Sequence, residues 1–215
     1  MGKKVLTQRQ EKVLKAVARE PKLAHFYLSG GTALAAFYLK HRLSDDLDFF
    51  TMEPPDTIFL DHFMQTLKKS LKAKEIHYEK LYDRRLFTLK WTKEVLKVEF
   101  TIYPFPQFKK PQVKGGVRID SLRDISANKL MALLDRFEPK DFVDLFFLLK
   151  ERRLEDLVCD TEKKFGIKID PLFLGGELSK ARRIVALPPM LKPLSVEQLK
   201  KFFTRKALEL RPRIL

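Results

Sequence analysis

Hydrophobic and polar positions in the first part of the chain switch repeatedly between the periodicities of helices and strands. Apolar residues spaced three and four apart predict amphipathic helices, whereas short apolar or alternating runs bounded by Gly, Pro and Asp predict strands. The predicted order is helix 7–19, strand 25–30, helix 31–40, strand 46–52 and helix 56–72, the last one started by Asp56. This alternation predicts an α/β arrangement for the N-terminal half.

Three strand-like runs follow and are separated only by short turns. They span residues 76–82, 86–92 and 95–103, and their spacing predicts an antiparallel meander. The predicted helices beyond this point cover 121–136, 139–152, 154–165 and 195–209. The fold class is therefore predicted as α+β, with a mixed, mostly antiparallel sheet and flanking helices, followed by an α-helical C-terminal half.

The segment PFPQFKKPQVKGG, residues 104–116, is rich in Pro and Gly and is typical of a linker. It predicts a boundary between a domain over 1–103 and a helical domain over 117–215.

Composition indicates a folded protein with a sizeable core, since 45% of the 215 residues are hydrophobic and 18 are Phe. No apolar run approaches the roughly 20 residues that a membrane-spanning helix needs. The N-terminus also lacks the apolar segment of a secretion signal, so we expect a cytoplasmic protein without membrane contact. The single cysteine, Cys159, excludes an internal disulfide.

The formal net charge is +15, from 43 Lys and Arg against 28 Asp and Glu. Basic residues recur along the whole chain, which favours a polyanionic partner such as RNA. For an RNA partner, the residues expected to contact phosphates are Lys109, Lys110, Lys114, Arg152 and Arg153. A high charged fraction is also typical of heat-adapted proteins, and the two interpretations are compatible.

Two acidic residues, Asp46 and Asp48, lie on the second predicted strand. Side chains alternate along a strand, so both project from one face while Leu47 enters the core. Neighbouring carboxylates repel each other unless a divalent cation lies between them, and Mg²⁺ prefers such oxygen ligands together with phosphates. The pair therefore predicts a site for one or two magnesium ions. Glu99, on the last strand of the meander, offers a third carboxylate, and a solvent-facing position is the alternative.

Gly30 and Gly31 lie at the turn between the first predicted strand and the helix after it. Glycine lets the backbone approach a ligand closely, and the start of the helix offers donors to an anion, with the hydroxyls of Ser29 and Thr32 nearby. A glycine pair is also common in ordinary turns. Its significance rests on the acidic pair that follows on the next strand.

In combination these motifs resemble a known family. GGTALA and HRLSDDLDFF look like the AbiEii/AbiGii-type nucleotidyltransferases of the DNA-polymerase-β-like superfamily, whose signature is a Gly-Gly or Gly-Ser turn before a strand with Asp-x-Asp or Asp-x-Glu. ANKLMALLDRFEPKDFVDLFFLL is similar to the family's second block, a lysine-bearing helix, an arginine further along it and a Lys/Arg-Asp-x-x-Asp that opens the next helix. The resemblance covers residues 25–150.

The resemblance implies a minimal nucleotidyltransferase core over 1–103, dependence on magnesium, and transfer of a nucleoside monophosphate from a nucleoside triphosphate to a hydroxyl. Several relatives are toxins that modify RNA, which implies an RNA acceptor and an antitoxin protein as partners. Implied metal ligands are Asp46, Asp48 and Glu99, with Glu99 either sharing a second metal ion or acting as general base on the acceptor hydroxyl. Lys129 and Asp141 join them as catalytic residues. Implied nucleotide contacts are Ser29, Gly30, Gly31, Thr32, Arg42, Ser44, Lys129 and Arg136. Aspartate is commoner in the family at the position of Glu99.

Residue patterns alone leave alternatives for several of these positions. Lys129 and Arg136 share one helical face by their spacing, which also fits a solvated basic face. Asp141 lies in the first turn of its helix, where the helix dipole alone favours a carboxylate. Arg42 and Ser44 fit a surface charge and a turn cap.

The next acid along, Asp144, can pair with Lys140 at i+4 spacing. His41 lies in a basic turn, where a lone histidine is more often structural than catalytic.

Two other function classes share part of this pattern. An aminoglycoside-type nucleotidyltransferase has the same Gly and Asp-x-Asp elements, but its polycationic substrate favours an acidic protein, against the 15 excess positive charges here. A non-catalytic nucleic-acid-binding or protein-binding relative would not need three acids. The choice of nucleotide depends on a folded pocket and has no linear motif.

Overall fold

The computed structural model describes residues 4–210, which divide into two compact units. The first unit comprises the residues up to Tyr38 together with Ser44–Ser121, and the second comprises Leu39–Leu43 and the residues from Leu122 onwards. The functional division into domains over 1–103 and 117–215 stays a prediction.

A seven-stranded sheet forms the frame of the first unit. Its strands are β1 (Tyr27–Ser29), β2 (Leu47–Thr51), β3 (Glu75–Leu81), β4 (Arg84–Lys90), β5 (Val95–Ile102), β6 (Gln112–Lys114) and β7 (Val117–Ile119). Their spatial order is β3-β4-β5-β2-β1-β7-β6. The pairs β2–β5 and β1–β7 are parallel and the other four are antiparallel, which confirms the mixed, mostly antiparallel sheet.

One face of this sheet carries the hydrophobic core of the first unit. Phe49, Phe87 and Phe100, on β2, β4 and β5, are at most 1% exposed. The rings of Phe49 and Phe100 stack with centroids 5.3 Å apart, and Phe87 meets Phe100 edge-on at 6.2 Å. Burial of each phenylalanine stabilises the fold by about 1.5–3 kcal/mol. Because side chains alternate, the residues between them on β2 and β5 face the opposite side of the sheet.

Three helices of the first unit agree with the sequence pattern. They are α1 (Gln8–Arg19), α2 (Gly30–Leu34) and α3 (Thr57–Ser70). Thr7 and Gln10 form a capping box at the start of α1, and Asp56 caps α3 by accepting a 3.0 Å hydrogen bond from the amide of Phe59. The predicted helix 31–40 changes to a π-helical segment over Ala35–Leu39, and Lys40 follows it with φ of 49°.

The second unit is helical, as the sequence predicted. Its helices are α4 (Leu122–Asp135), α5 (Pro139–Leu148), α6 (Leu154–Phe165), α7 (Pro171–Ser179) and α8 (Val196–Glu209). Phe142 on α5 and Phe203 on α8 are at most 1% exposed, and their rings meet edge-on at 5.3 Å. Pro139 opens α5 at a first-turn position, as predicted.

Two elements differ from the sequence prediction. The segment 104–116 is not simply a loop, because β6 lies within it and pairs with β7, which joins the sheet beside β1. Gly115 and Gly116 both have positive φ, 59° and 83°, and they supply the two-residue turn that such a hairpin requires. Helix α7 was missed because Gly175 and Gly176 lower its helix propensity, although Asp170 caps it.

Among the described helices, none combines the length and the apolar character that crossing a lipid bilayer requires.

Candidate functional site

Two of the predicted acids lie side by side on the polar face of the sheet in the first unit. Asp48 on β2 is in register with Glu99 on the parallel neighbour β5, and on the other side with Ser29 at the end of β1. Adjacent strands lie about 4.8 Å apart, so the three residues form a row across the sheet. Asp46 directly precedes β2, and Leu47 between the two aspartates is fully buried, as the alternation predicted.

Gly30 brings the glycine turn against this acidic row. Its φ is +68°, and a Cβ added there would lie 2.2 Å from Oδ2 of Asp48. Position 30 therefore has space for Asp48 only because it lacks a side chain. The glycine turn and the acidic strand meet at one point, as the sequence pattern suggested.

The hydroxyls beside this turn are engaged inside the protein. Ser29 is fully buried and donates a 2.7 Å hydrogen bond to Oδ2 of Asp120. Thr32 is also fully buried, and its hydroxyl donates to the backbone carbonyl of Asp46. Both side chains therefore brace the turn and the acidic strand, where the sequence expected them at a bound anion. Gly31 lies in the first turn of α2 and is half-buried.

Glu99 is held by an arginine that the sequence analysis did not single out. Nε and Nη2 of Arg84 donate to the two carboxylate oxygens of Glu99 over 2.7 and 2.6 Å, and Thr101 Oγ1 donates to Oε1 over 2.5 Å. The hydrogen bonds that Arg84 donates to Glu99 raise the pKa of the Arg84 guanidinium, and the negative charge of Asp48 adds to this shift. The guanidinium is thus a permanent cation beside both acids.

Arg84 was missed because the predicted strand began at residue 86. Strand β4 begins at Arg84, which pairs with Thr101 two residues beyond Glu99. Extending the alternation of the strand back through the short turn would have put Arg84 on the face of the acids.

A divalent ion fits these residues in part. Asp46 and Asp48 supply hard oxygen ligands, and the glycine turn lies directly against the carboxylate of Asp48. Glu99, in contrast, has both oxygens on Arg84. Within residues 4–210, no group of three or more His, Cys, Asp or Glu side chains is arranged to hold an ion. The geometry therefore favours the pair Asp46 and Asp48 over the three-acid ligand set that the sequence suggested.

The other predicted site residues form a buried ionic cluster in the second unit. Nζ of Lys129 on α4 lies 2.9 Å from Oδ1 of Asp141 and 2.7 Å from Oδ2 of Asp144, both on α5. The lysine side chain is 8% exposed and both aspartates are fully buried, so the alternative of a solvated basic face is wrong for Lys129. Arg136 is half-exposed, and its Nε donates to Oδ2 of Asp141 over 3.1 Å.

Asp144 is the centre of this cluster, not a surface partner of Lys140. It accepts hydrogen bonds from Nε and Nη2 of Arg42 at 2.6 and 2.8 Å, and Nε2 of His41 lies 2.7 Å from Oδ1. Burial alone would raise the pKa of the Asp144 carboxyl, but the charges of Lys129 and Arg42 outweigh it and lower the pKa well below its usual range. For Lys129 burial acts to lower the pKa, and the two carboxylates outweigh it and raise the pKa.

Arg42 was expected to contact the nucleotide, but its side chain is 3% exposed. Two of its nitrogens bind Asp144 and the third donates to the carbonyl of Leu43 at 2.8 Å. The guanidinium is therefore fully used within the second unit. Ser44, the next predicted contact, accepts a 2.8 Å hydrogen bond from Gln10 through its backbone carbonyl.

His41 makes the stability of the second unit depend on pH. It is fully buried, and its Nδ1 has no hydrogen-bond partner among the described residues, so protonation would bury an unpaired N–H close to Arg42 and Lys129. Burial is the main effect and lowers the pKa of His41. The hydrogen bond with Asp144 raises the pKa but does not outweigh burial.

A histidine with a lowered pKa stabilises the fold fully above its unfolded-state value, about 6.5, and this contribution is lost as pH falls below it. We expect the free energy of unfolding to fall as the pH decreases below about 6.5, by at most about 1.4 kcal/mol per pH unit for one proton. Urea titrations at several pH values should show a shallower slope for His41→Gln. The variant His62→Gln, at an exposed position of α3, is the control and should keep the wild-type slope. An unchanged slope in His41→Gln would contradict this assignment.

Comparison with known proteins identifies the family. Residues 12–209 match the family model described as "Nucleotidyl transferase AbiEii toxin, Type IV TA system". The chain belongs to the AbiEii nucleotidyltransferase family. This confirms the resemblance drawn from the glycine turn and the acidic strand, and it makes the protein a nucleotidyltransferase.

One curated protein and two solved structures are also similar to this chain. The protein aq_aa25 of Aquifex aeolicus (strain VF5) is 32% identical over 162 residues, which are 71% of this chain and 74% of that protein. A crystal structure of a Helicobacter pylori protein superposes with a TM-score of 0.62 and 20% identity, covering 95% of this chain and 96% of that one. MenT4, a nucleotidyltransferase toxin from Mycobacterium tuberculosis H37Rv, superposes with a TM-score of 0.51 and 16% sequence identity. The match covers 86% of this chain and 75% of MenT4. The two structures show a shared fold.

Proposed function

We propose that the protein transfers a nucleoside monophosphate from a nucleoside triphosphate to a hydroxyl of RNA, with magnesium held by Asp46 and Asp48. One observation carries this proposal: the carboxylate of Asp48 lies against Gly30, so that the glycine turn and the acidic strand form a single site. Family membership supports the transfer chemistry. The magnesium, the acceptor and the residue roles are our proposals.

The reaction exchanges one bond to phosphorus for another. An acceptor oxygen forms a bond to the α-phosphorus, the bond from that phosphorus to the bridging β-oxygen breaks, and pyrophosphate leaves. The proton of the acceptor hydroxyl passes to solvent water. Magnesium between Asp46 and Asp48 would neutralise negative charge on the phosphates.

The surroundings of the site keep its geometry fixed. Thr32 ties the backbone of Asp46 to the glycine turn, and Ser29 ties the end of β1 to Asp120. Such bracing positions the reacting groups, and positioning supplies much of the rate enhancement in phosphoryl and nucleotidyl transfer. The backbone amides of Gly30 and Gly31 are proposed to face the β- and γ-phosphates. Roles for Lys129, Arg136 and Asp141 at the nucleotide stay predictions from the resemblance.

The test of the proposed function is incubation with each labelled nucleoside triphosphate, Mg²⁺ and total RNA, followed by a denaturing gel. Label on RNA that depends on Mg²⁺ supports the proposal. Label transferred only to small molecules would favour an aminoglycoside-type activity, and label on neither would favour a non-catalytic relative.

A matched pair of glycine variants tests whether contact between the turn and Asp48 matters for transfer. Gly30 and Gly115 have similar positive φ values, 68° and 59°, so alanine costs about 1–2 kcal/mol of backbone strain at either position. An added Cβ would meet Asp48 at position 30 but nothing within 4 Å at position 115. We expect both variants to lose stability in urea, and Gly30→Ala at least as much as Gly115→Ala, because its Cβ also overlaps Asp48. Only Gly30→Ala should lose transfer, by about a hundredfold, since a displacement of the reacting groups by about 1 Å has that effect. Equal activity of the two variants would contradict the shared site.

The net charge of +15 supports RNA as the acceptor, because polyanion binding is favoured by an excess of cations. Of the basic residues expected to contact RNA, Lys109 and Lys110 are exposed, and Lys114 lies 4.0 Å from the ring centre of Tyr38. Arg152 is less available, since its Nη2 is 2.6 Å from Asp160. Arg153 is exposed beside Glu155.

Salt dependence measures how many phosphates the protein contacts. We expect the affinity for RNA to fall by about 0.7–0.9 log units per log unit of salt for each phosphate contacted. Lys109→Ala combined with Lys110→Ala should reduce this slope by one to two such contacts, as measured by fluorescence anisotropy between low and physiological salt. The control removes Lys12 and Lys15, exposed on α1, and should keep the wild-type slope. A flat profile for wild type would exclude the RNA acceptor and leave nucleotidyl transfer standing.

The family description also supports a toxin role with a protein antitoxin as partner. We propose that expression of the protein alone slows bacterial growth through nucleotidyl transfer. Growth curves for cells that express the wild type or an inactive variant test this role, and equal growth would contradict it.

A further inference from the structure

Arg84 binds the carboxylate of Glu99, which a second metal ion would need as a ligand. It grips both carboxylate oxygens of Glu99, on the strand beside Asp48, and does so from the polar face of the sheet. Glu99 is 13% exposed and Arg84 is 45% exposed, so the carboxylate is largely enclosed while the guanidinium borders solvent. The arginine therefore occupies Glu99, the carboxylate that would complete a second ion site.

The contact is stronger than an ordinary surface ion pair. A bidentate arginine–carboxylate pair has two parallel hydrogen bonds in a fixed orientation. Thr101 adds a third hydrogen bond to Glu99, and Arg84 and Thr101 are themselves paired across β4 and β5. The backbone register thus fixes the arginine beside Glu99.

The charge of Arg84 disfavours a second ion at Glu99. Its guanidinium compensates the negative charge of this carboxylate through two hydrogen bonds. A second divalent ion would have to displace Arg84 or approach it against repulsion between like charges.

We propose that Arg84 takes the place of a second metal ion: its guanidinium stays on Glu99 during nucleotidyl transfer, and the site binds one divalent ion between Asp46 and Asp48. Glu99 then acts as the anchor of a fixed positive charge beside the reacting phosphates, not as a metal ligand or a general base. Arg84 is a positioning residue whose charge does not depend on the concentration of metal. This inference rests on the proposed metal site.

Manganese binding tests the proposal without requiring the nucleotide or the acceptor. Mn²⁺ alone is titrated into the full chain, and free Mn²⁺ is measured by electron paramagnetic resonance. We expect one Mn²⁺ per chain in the wild type and its loss in Asp48→Asn. In Arg84→Met the freed Glu99 should give either a second bound ion or about tenfold tighter binding of the first, because a nearby positive charge is removed and a carboxylate is gained.

Lys97 provides the matched control for charge alone. It is an exposed cation on β5, two residues before Glu99 and on the same face of the sheet. Arg84 lies on the opposite side of Glu99 along the strand, because it pairs with Thr101, two residues after Glu99. Lys97→Met removes the same charge at a comparable distance but frees no carboxylate. We expect one bound Mn²⁺ and an affinity within about threefold of wild type, since exposed charges are screened.

A double variant keeps the test valid if Arg84→Met folds poorly. Arg84→Met with Glu99→Gln removes the pair together, so the net charge of the site is unchanged and no buried carboxylate is left alone. We expect its Mn²⁺ affinity and stoichiometry to match the wild type, and circular dichroism to match as well.

Two results would overturn the role of Arg84: equal Mn²⁺ binding by Arg84→Met and Lys97→Met, or tenfold weaker binding by the double variant, which would make Glu99 a ligand. Failure of the proposed function looks different. In that case the wild type binds no Mn²⁺, or binds it equally well after Asp48→Asn. The proposed metal site would then be wrong, and the role of Arg84 with it.

Discussion

Asp48→Asn should abolish nucleotidyl transfer while the fold persists. The amide cannot supply the charge that holds a divalent ion against the phosphates, and the loss of such stabilisation is worth several kcal/mol in the transition state. About 4 kcal/mol corresponds to a thousandfold lower rate, so we expect at least that loss in a labelled-nucleotide assay. Thermal unfolding should change little, because Asp48 is half-buried on the polar face and asparagine has nearly the same shape.

Asp45 is the control for this variant. It lies in the same acidic segment and is exposed. Because side chains alternate along an extended segment, Asp45 is expected on the face opposite to Asp46 and Asp48. Asp45→Asn removes the same charge from the same stretch and should leave the rate within about twofold, since the Asp45 side chain is exposed and its charge is screened by water and salt. Near wild-type turnover of Asp48→Asn would remove the metal site from the first unit, whatever the behaviour of Asp45→Asn.

The strands that carry the acids on the polar face of the sheet could be predicted because their residues alternate cleanly. Leu47 between two aspartates, and Glu99 between Val98 and Phe100, indicate by alternation alone which side chains share a face. The prediction did not extend to the pairing of β2 with β5, because parallel pairing of distant strands has no local signal. That pairing is what brings Glu99 beside Asp48.

The partners of the site residues were harder to predict than the residues themselves. Arg84 lies 15 residues before Glu99, and their contact depends on the hairpin register of β4 and β5. Arg42 and Asp144 are 102 residues apart, and nothing in a basic turn indicates that its arginine is buried. Sequence patterns report which face a side chain shares along one element. They do not report which charge from a distant element neutralises it.

Lys129→Met should strongly destabilise the second unit. The ammonium lies between the carboxylates of Asp141 and Asp144, which are fully buried. Removal of one partner from a buried ionic cluster typically costs about 3–5 kcal/mol, because the charges left behind remain out of water, and we expect a loss of that size. Urea unfolding followed by far-ultraviolet circular dichroism would measure it.

The two carboxylates should not contribute equally to this loss. When Lys129 is removed, Asp144 keeps Arg42 and His41 as partners, whereas Asp141 keeps the half-exposed Arg136, which directly follows α4. Adding Asp141→Asn to Lys129→Met should therefore recover part of the lost stability, since the less compensated charge disappears.

Lys140→Met is the control for the lysine variant. Lys140 is the residue that the sequence alone would pair with Asp144, and its removal should change the free energy of unfolding by no more than about 0.5 kcal/mol. A loss below about 1 kcal/mol in Lys129→Met would show that the cluster tolerates an unpaired carboxylate, and would contradict the buried geometry. If Lys129 also contacts the nucleotide, activity measured well below the unfolding temperature falls in Lys129→Met beyond the fraction that is unfolded, which separates a role in transfer from the role in folding.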